Sequence, residues 1–332
     1  MRAFLTVLSG SLRLLRARKI FWVTLVITVV LGLLYMSVGF NEKGITYLFG
    51  LGTLENEIIY EGSDFAEAFY LLIFSLVIVN YWLSWVAVIL AMISCGPIFP
   101  GFMEGGDSGV VLAKPPSRLA LFFYKYIGGL LFMALQTLIF CLIVFVALKW
   151  RIGSWNPSVF WAVPLLVLLF SYLWSIMIAV GVKTKSTLAS ILCALLVWFA
   201  CWVSKAVEEF SWSAAELGEV PGAFGQPMKL SEEDQEKWKA RYPTASLSYK
   251  LLPKTSDTTA LLIRKLKVGS GESLELGAIL GQALGGNMDA DEEAAIDEAM
   301  GRNSIVWIIG SSLAFEAVVL GIGAWMFCRR DF

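Results

Sequence analysis

The sequence predicts an all-α integral membrane protein with six transmembrane helices and both termini in the cytoplasm. Three observations carry this expectation. The 332 residues are 58% hydrophobic and only 16% charged, with a mean hydropathy of +0.71, well above a soluble domain. Six apolar runs, 20–40, 65–93, 119–148, 159–182, 188–207 and 304–327, are each long enough to cross hydrocarbon of roughly 30 Å, which takes about 20 helical residues. An even number of spans puts both termini on one side, and the basic residues of the short connecting segments decide which side that is. Arg2, Arg13, Arg16, Arg18, Lys19, Lys114, Arg118, Lys183, Lys185, Arg329 and Arg330 lie on the terminal side, against Lys43, Lys149 and Arg151 on the other. The termini are therefore expected in the cytoplasm and the chain in the plasma membrane, the inner membrane of a bacterium.

Composition also removes whole classes of function. The formal net charge is −1, so no global bias points to nucleic acid as a partner. Cys95, Cys141, Cys193, Cys201 and Cys328 lie in or beside apolar runs and form no disulfide framework. Histidine is absent, which takes away the commonest metal ligand and the commonest general base together. No GxxxxGK[ST] phosphate loop occurs, so the chain does not hold ATP by that device, and HExxH is impossible. No catalytic residue, metal site or cofactor is assigned, and the chain is not expected to be an enzyme.

Taken in order, residues 1–19 place Phe4, Leu5, Leu8, Leu12 and Leu15 at helical spacing with arginines crowding the end. That pattern predicts an amphipathic helix in the headgroup layer of the lipid bilayer, in place of a frayed basic tail. Residues 20–207 carry the first five spans. The loop 41–64, acidic and glycine-rich, is expected to be a short helix or irregular cap. Asn80 in span two and Gln136 in span three are expected to point into the bundle, where an amide finds a partner that lipid does not supply. Trp150, Trp155 and Trp161 fall where an outer aromatic belt belongs. Residues 208–302 form the one sizeable segment outside the bilayer, with seventeen acidic against ten basic residues. Its pattern predicts mostly helix: Ser231 capping a run that Pro243 ends, Ser256 and Asp257 opening another that Gly269 closes, and a third over 291–300. The acids at 289–293 lack the spacing of a calcium loop and read as that helix's N-terminus. Residues 303–332 hold the sixth span and the basic tail. Glu316, near the middle of that span, is either a functional ionisable group or a hydrogen-bonded glutamate between helices.

The remaining polar interruption runs from Cys95 to Lys125. Gly96, Pro97 and Pro100 are expected to break span two as it leaves the membrane, and Pro115 and Pro116 end a short apolar helix before Arg118 opens span three. The order Glu104, Ser108, Gly109, Val110 to Leu112, Pro116, Ser117, Arg118, Lys125 resembles the loop after the second span in membrane subunits of type-2 ATP-binding-cassette exporters. The basic interfacial N-terminus, the six spans and the ending Arg329-Arg330-Asp331 are similar as well. Two departures stand out: Gly105, Gly106 and Asp107 replace more usual charged residues, and Val110 stands where threonine is common. The 208–302 segment is also longer than the usual hairpin.

The resemblance implies a permease that pairs with a second copy or a paralogue and is driven by separate ATPase subunits holding ATP and Mg. Loop 96–118, with Glu104, Asp107, Ser108, Gly109, Val110, Lys114, Pro116 and Arg118, would couple ATP-driven closure to the spans. The cargo would be a lipid, glycan, peptide or drug-like molecule. Two alternatives stay open: the same fold coupling ATP hydrolysis to a periplasmic partner on 208–302, as in cuproenzyme maturation, and a non-transporting scaffold or sensor.

Overall fold

A computed structural model describes residues 19–55, 59–104, 117–221, 227–267 and 302–329. Six of its helices are long and apolar enough to cross a membrane: α1 (Lys19–Met36), α2 (Ala66–Met103), α3 (Arg118–Arg151), α4 (Pro157–Thr184), α5 (Thr187–Leu217) and α9 (Ile305–Cys328). Among the described residues, three shorter helices, α6 (Glu232–Ala245), α7 (Leu247–Leu251) and α8 (Thr255–Lys265), lie between α5 and α9.

The centre of the bundle is α4, which has 78% of its most apolar window buried where no other span exceeds 44%. Helices α3, α5, α8 and α9 all pack on it. Close approach to α3 depends on Gly129, where a Cβ would stand 2.7 Å from the Trp174 ring, and Trp174 Nε1 donates to Tyr126 O at 3.2 Å. The bundle has two recognisable faces. At one, Arg118 Nη1 donates to Cys328 O at 3.2 Å, and Gly96 lies against Thr187 and Ile191. At the other, Arg151 Nε donates to Met36 O at 3.0 Å, and Glu67 Oε1 accepts from Ser154 Oγ at 2.9 Å and Asn156 Nδ2 at 2.8 Å. They are called here the near face and the far face.

The far face corrects the expectation for the first loop. Residues 39–55 form a three-stranded antiparallel sheet of β1 (Gly39–Asn41), β2 (Gly44–Tyr47) and β3 (Gly52–Glu55), with Phe40 opposite Ile45 and Ile45 opposite Leu54. Its first turn is made by Asn41, whose Oδ1 accepts from Lys43 N at 3.0 Å, and by Gly44 at φ 138°, a conformation side chains disfavour. A second small sheet pairs β4 (Glu219–Pro221) with β5 (Pro227–Lys229).

Four further boundaries differ from the sequence reading. Helix α2 does not break at Gly96, Pro97 and Pro100; it tightens into one 3₁₀ turn, Gly96–Ile98, and resumes over Pro100–Glu104. Each proline stands at the start of a turn, where no N–H donor is required. Helix α5 runs past residue 207 to Leu217, because its polar residues find partners there, as shown below. In α6, Ser231 Oγ accepts from Asp234 N as a cap, but Pro243 lies inside the last turn and the helix closes at Ala245. Helix α8 starts at Thr255 without a side-chain cap, since Asp257 is engaged elsewhere. The N-terminal helix predicted within 1–19 (apart from Lys19), the helix over 291–300, Gly269 and the acids at 289–293 lie outside the described residues.

Candidate functional site

Of the residues assigned to loop 96–118, Glu104 ends the short helix Pro100–Glu104, and Arg118 begins α3 behind a cap in which Ser117 Oγ accepts from Ala120 N at 3.2 Å. Asp107, Ser108, Gly109, Val110, Lys114 and Pro116 lie outside the described residues. Both flanks of that stretch are fixed to the bundle. Phe99 is buried with its ring 5.3 Å from Phe122 of α3, 6.1 Å from Trp174 of α4 and 6.0 Å from Phe327 of α9. Buried Lys125 places Nζ 4.1 Å from the centre of the Phe102 ring, a desolvated cation–π contact. A displacement of the segment after Phe102 therefore bears on α3, α4 and α9 at once.

The three intramembrane polar candidates have different fates. Gln136 is buried and its Nε2 donates to Thr28 Oγ1 of α1 at 3.4 Å, the interhelical role expected. Glu316 is buried at the junction of α3, α4 and α9, accepting from Tyr126 OH and lying 2.9 Å from Ser171 Oγ. Asn80 departs from expectation: it is exposed and faces a cleft. The reason is local. Residues Ile73–Ala87 adopt the wide i→i+5 form, with Ser84 Oγ donating five residues back to Val79 O at 2.6 Å, which rotates the face that Asn80 would have turned inward.

That cleft, of about 1080 Å³, lies between α2, α5, α8 and the residues leading into α9. Tyr81, Trp85, Phe199 and Trp202 give it an aromatic wall, and Lys205, Glu209, Asp257 and Arg264 a charged rim. Trp85 is held by stacking on Trp198 at 4.5 Å, and Phe199 and Trp202 stack at 5.9 Å. Lys205 Nζ bridges Asp257 Oδ1 at 2.7 Å and Glu209 Oε1 at 3.1 Å. Asp257 Oδ2 also accepts from Tyr249 OH at 2.8 Å, Asn303 Nδ2 donates to that hydroxyl at 3.1 Å, and Arg264 Nη1 donates to Asn303 O at 2.8 Å. Burial together with the Asp257 carboxylate pushes the Tyr249 hydroxyl up from the ordinary tyrosine range. Beneath it Lys254 is buried, donating Nζ to Lys250 O at 2.9 Å and Leu252 O at 3.0 Å, and burial pushes its ammonium below the usual lysine range.

Sequence reasoning missed these rim residues. Lys205 and Glu209, four apart on α5, were legible as an ion pair one helical turn long at the end of an apolar run, but Asp257, which Lys205 also bridges, and the neighbouring Arg264 come from a helix fifty residues on. Among the described residues no group of three metal-ligating side chains forms a cluster. Comparison with known proteins gives no match, whether to family models, to curated proteins or to solved structures.

Proposed function

We propose that the chain is the permease subunit of a type-2 ATP-binding-cassette exporter, paired with a second copy or a paralogue and driven by separate ATPase subunits that hold ATP and Mg. The near face is then cytoplasmic, the far face extracytoplasmic, and the cargo a lipid, glycan, peptide or drug-like molecule. The ordered run Glu104, Ser108, Gly109, Pro116, Ser117, Arg118 carries this reading. The anchorage of Phe99, Phe102 and Arg118 to α3, α4 and α9 supports it, because a coupling segment has to be rigidly joined to the spans it moves.

Glu104→Lys and Gly109→Trp are expected to leave membrane insertion intact while abolishing transport-coupled ATP hydrolysis. The measurement is ATPase turnover of the complex purified from native membranes, with the partner subunits identified by mass spectrometry. Normal stimulated turnover in both variants, or the absence of an ATPase from the purified complex, overturns the proposal.

A further inference from the structure

We propose that the cleft between α2, α5 and α8 binds one aminophospholipid, with its phosphate on Arg264, its ammonium on Glu209 and an acyl chain along the aromatic wall. The site rests only on the chain lying in a bilayer and not on the permease reading.

The first support is depth. Counted from Thr187 at 1.5 Å per residue, Phe199, Trp202, Lys205 and Glu209 stand at roughly 18, 22, 27 and 33 Å above the near face, and counted from Gly96, which lies against Thr187, Trp85 and Asn80 stand at roughly 16 and 24 Å. Hydrocarbon is roughly 30 Å thick, so the aromatic wall lies within the far leaflet and the charged rim at its headgroups. Polarity in the cleft thus changes along the same axis, and at the same height, as in a phospholipid. The volume, about 1080 Å³, is at the upper end of small-molecule pockets, which run to about 1,000 Å³.

The second support is charge. Lys205 is committed to Asp257 and Glu209, so those three groups together carry one net negative charge, and the Glu209 side chain keeps 60% of its surface exposed. Arg264 forms no ion pair among the described residues and spends only Nη1 on Asn303 O, which leaves donors for a phosphate. Arg264 follows Asp257 by two helical turns, so both lie on one face of α8. The rim therefore has a negative pole and a separate positive pole, the pattern a zwitterion neutralises. Asn80, whose amide makes no hydrogen bond among the described residues, also lines the cleft and offers an acceptor to an ammonium. A choline headgroup has no N–H to give Glu209 or Asn80, and a glycerol headgroup has no cation. The wide-helix stretch of α2 supplies the cleft's Asn80, Tyr81, Trp85 and Val86, and wide turns within helices are frequent at functional sites.

The test uses the full chain purified in detergent and counts bound lipid by native mass spectrometry with dioleoylphosphatidylethanolamine, -choline and -glycerol, and with soluble phosphoethanolamine. The ethanolamine lipid is expected to be retained about ten-fold more tightly than the glycerol lipid, the worth of one charge-assisted contact. Arg264→Gln should lower retention of all three lipids, and Glu209→Gln should erase the preference for ethanolamine while leaving the lipid-free melting temperature unchanged, since its side chain is largely exposed. Trp202→Leu should weaken lipid binding without altering headgroup order. Equal retention of the three lipids, a preference that survives Glu209→Gln, or phosphoethanolamine binding as tightly as the lipid overturns the proposal. Normal ATP coupling with no lipid bound would refute the lipid site alone; bound lipid with no ATPase partner would refute the permease alone.

Discussion

Glu316 is the residue on which the intramembrane chemistry turns. A carboxyl group at that depth is tolerated where hydroxyls replace water, and Tyr126 and Ser171 do so from two other helices. Ser171 Oγ also lies 2.8 Å from Leu168 O and has one proton to give, so it serves Glu316 either as donor to a carboxylate or as acceptor from a carboxylic acid. Both arrangements join α3, α4 and α9 through hydrogen bonds, and the cleft lining does not include Glu316. A joining role predicts that Glu316→Gln, which keeps an acceptor for Tyr126 and a donor for Ser171, changes the unfolding free energy by less than about 0.5 kcal/mol, and that Glu316→Leu, which leaves two buried hydroxyls without partners, costs about 1–3 kcal/mol. Unfolding of the purified chain in detergent measures both; a stable Glu316→Gln variant that has lost transport would assign the carboxyl a functional role. The presence of Gln136 and Glu316 at buried positions was legible from the cost of exposing them to lipid. The outward turn of Asn80 was not, because it depends on a widened backbone that no side-chain pattern announces.

At the scale of elements, the far end of α5 is fixed by one buried ion pair. Arg302 Nη2 reaches Glu208 Oε1 at 2.7 Å and Oε2 at 2.5 Å, with the Glu208 side chain only 3% exposed, and the guanidinium lies 4.6 Å from the centre of the Trp212 ring. Tyr242 OH of α6 donates to the same carboxylate at 2.9 Å, and burial with that carboxylate pushes the Tyr242 hydroxyl up. Three segments distant in sequence converge on Glu208. Arg302→Met is therefore expected to cost about 3–5 kcal/mol by leaving that charge buried and unpaired, whereas Glu208→Leu with Arg302→Met should recover part of the loss. A double-mutant cycle on thermal unfolding checks this, and a single-variant cost below about 1 kcal/mol would show the pair to be solvent-screened. The same ion pair explains why the sequence placed the end of the fifth span too early: hydropathy stops at the glutamates, while the helix continues because Arg302, Tyr242 and Lys205 satisfy them. The six spans were legible because apolar length alone specifies them. The sheet over 39–55 was not, because strands this short, set off by Gly39, Gly44 and Gly52, show too little alternation to separate them from an irregular loop.

For the whole molecule, orientation decides what the two faces do. The near face joins Phe99, Arg118 and Phe327 to the interior, and α9 carries that connection across the bundle to Ser312, whose Oγ accepts from Lys254 N at 2.9 Å just below the cleft. Movement at one face thus has a continuous packed path, through α4 and α9, to α8 at the other. Such a path is useful to an ATP-driven permease only if the near face is cytoplasmic, which is the side that the basic residues of the short loops select. Ser231→Cys on the far side, at the exposed start of α6, and Lys183→Cys, at the near end of α4, are both exposed positions suited to labelling. In intact cells a membrane-impermeant maleimide is expected to label Ser231→Cys and to leave Lys183→Cys untouched until the membrane is opened. Native Cys95, Cys141 and Cys201 are buried, and Cys193 and Cys328 are partly buried, so the unmodified chain sets the background. Labelling of Lys183→Cys from outside would invert the molecule, put loop 96–118 out of reach of ATP, and leave the lipid cleft facing the cytoplasmic leaflet.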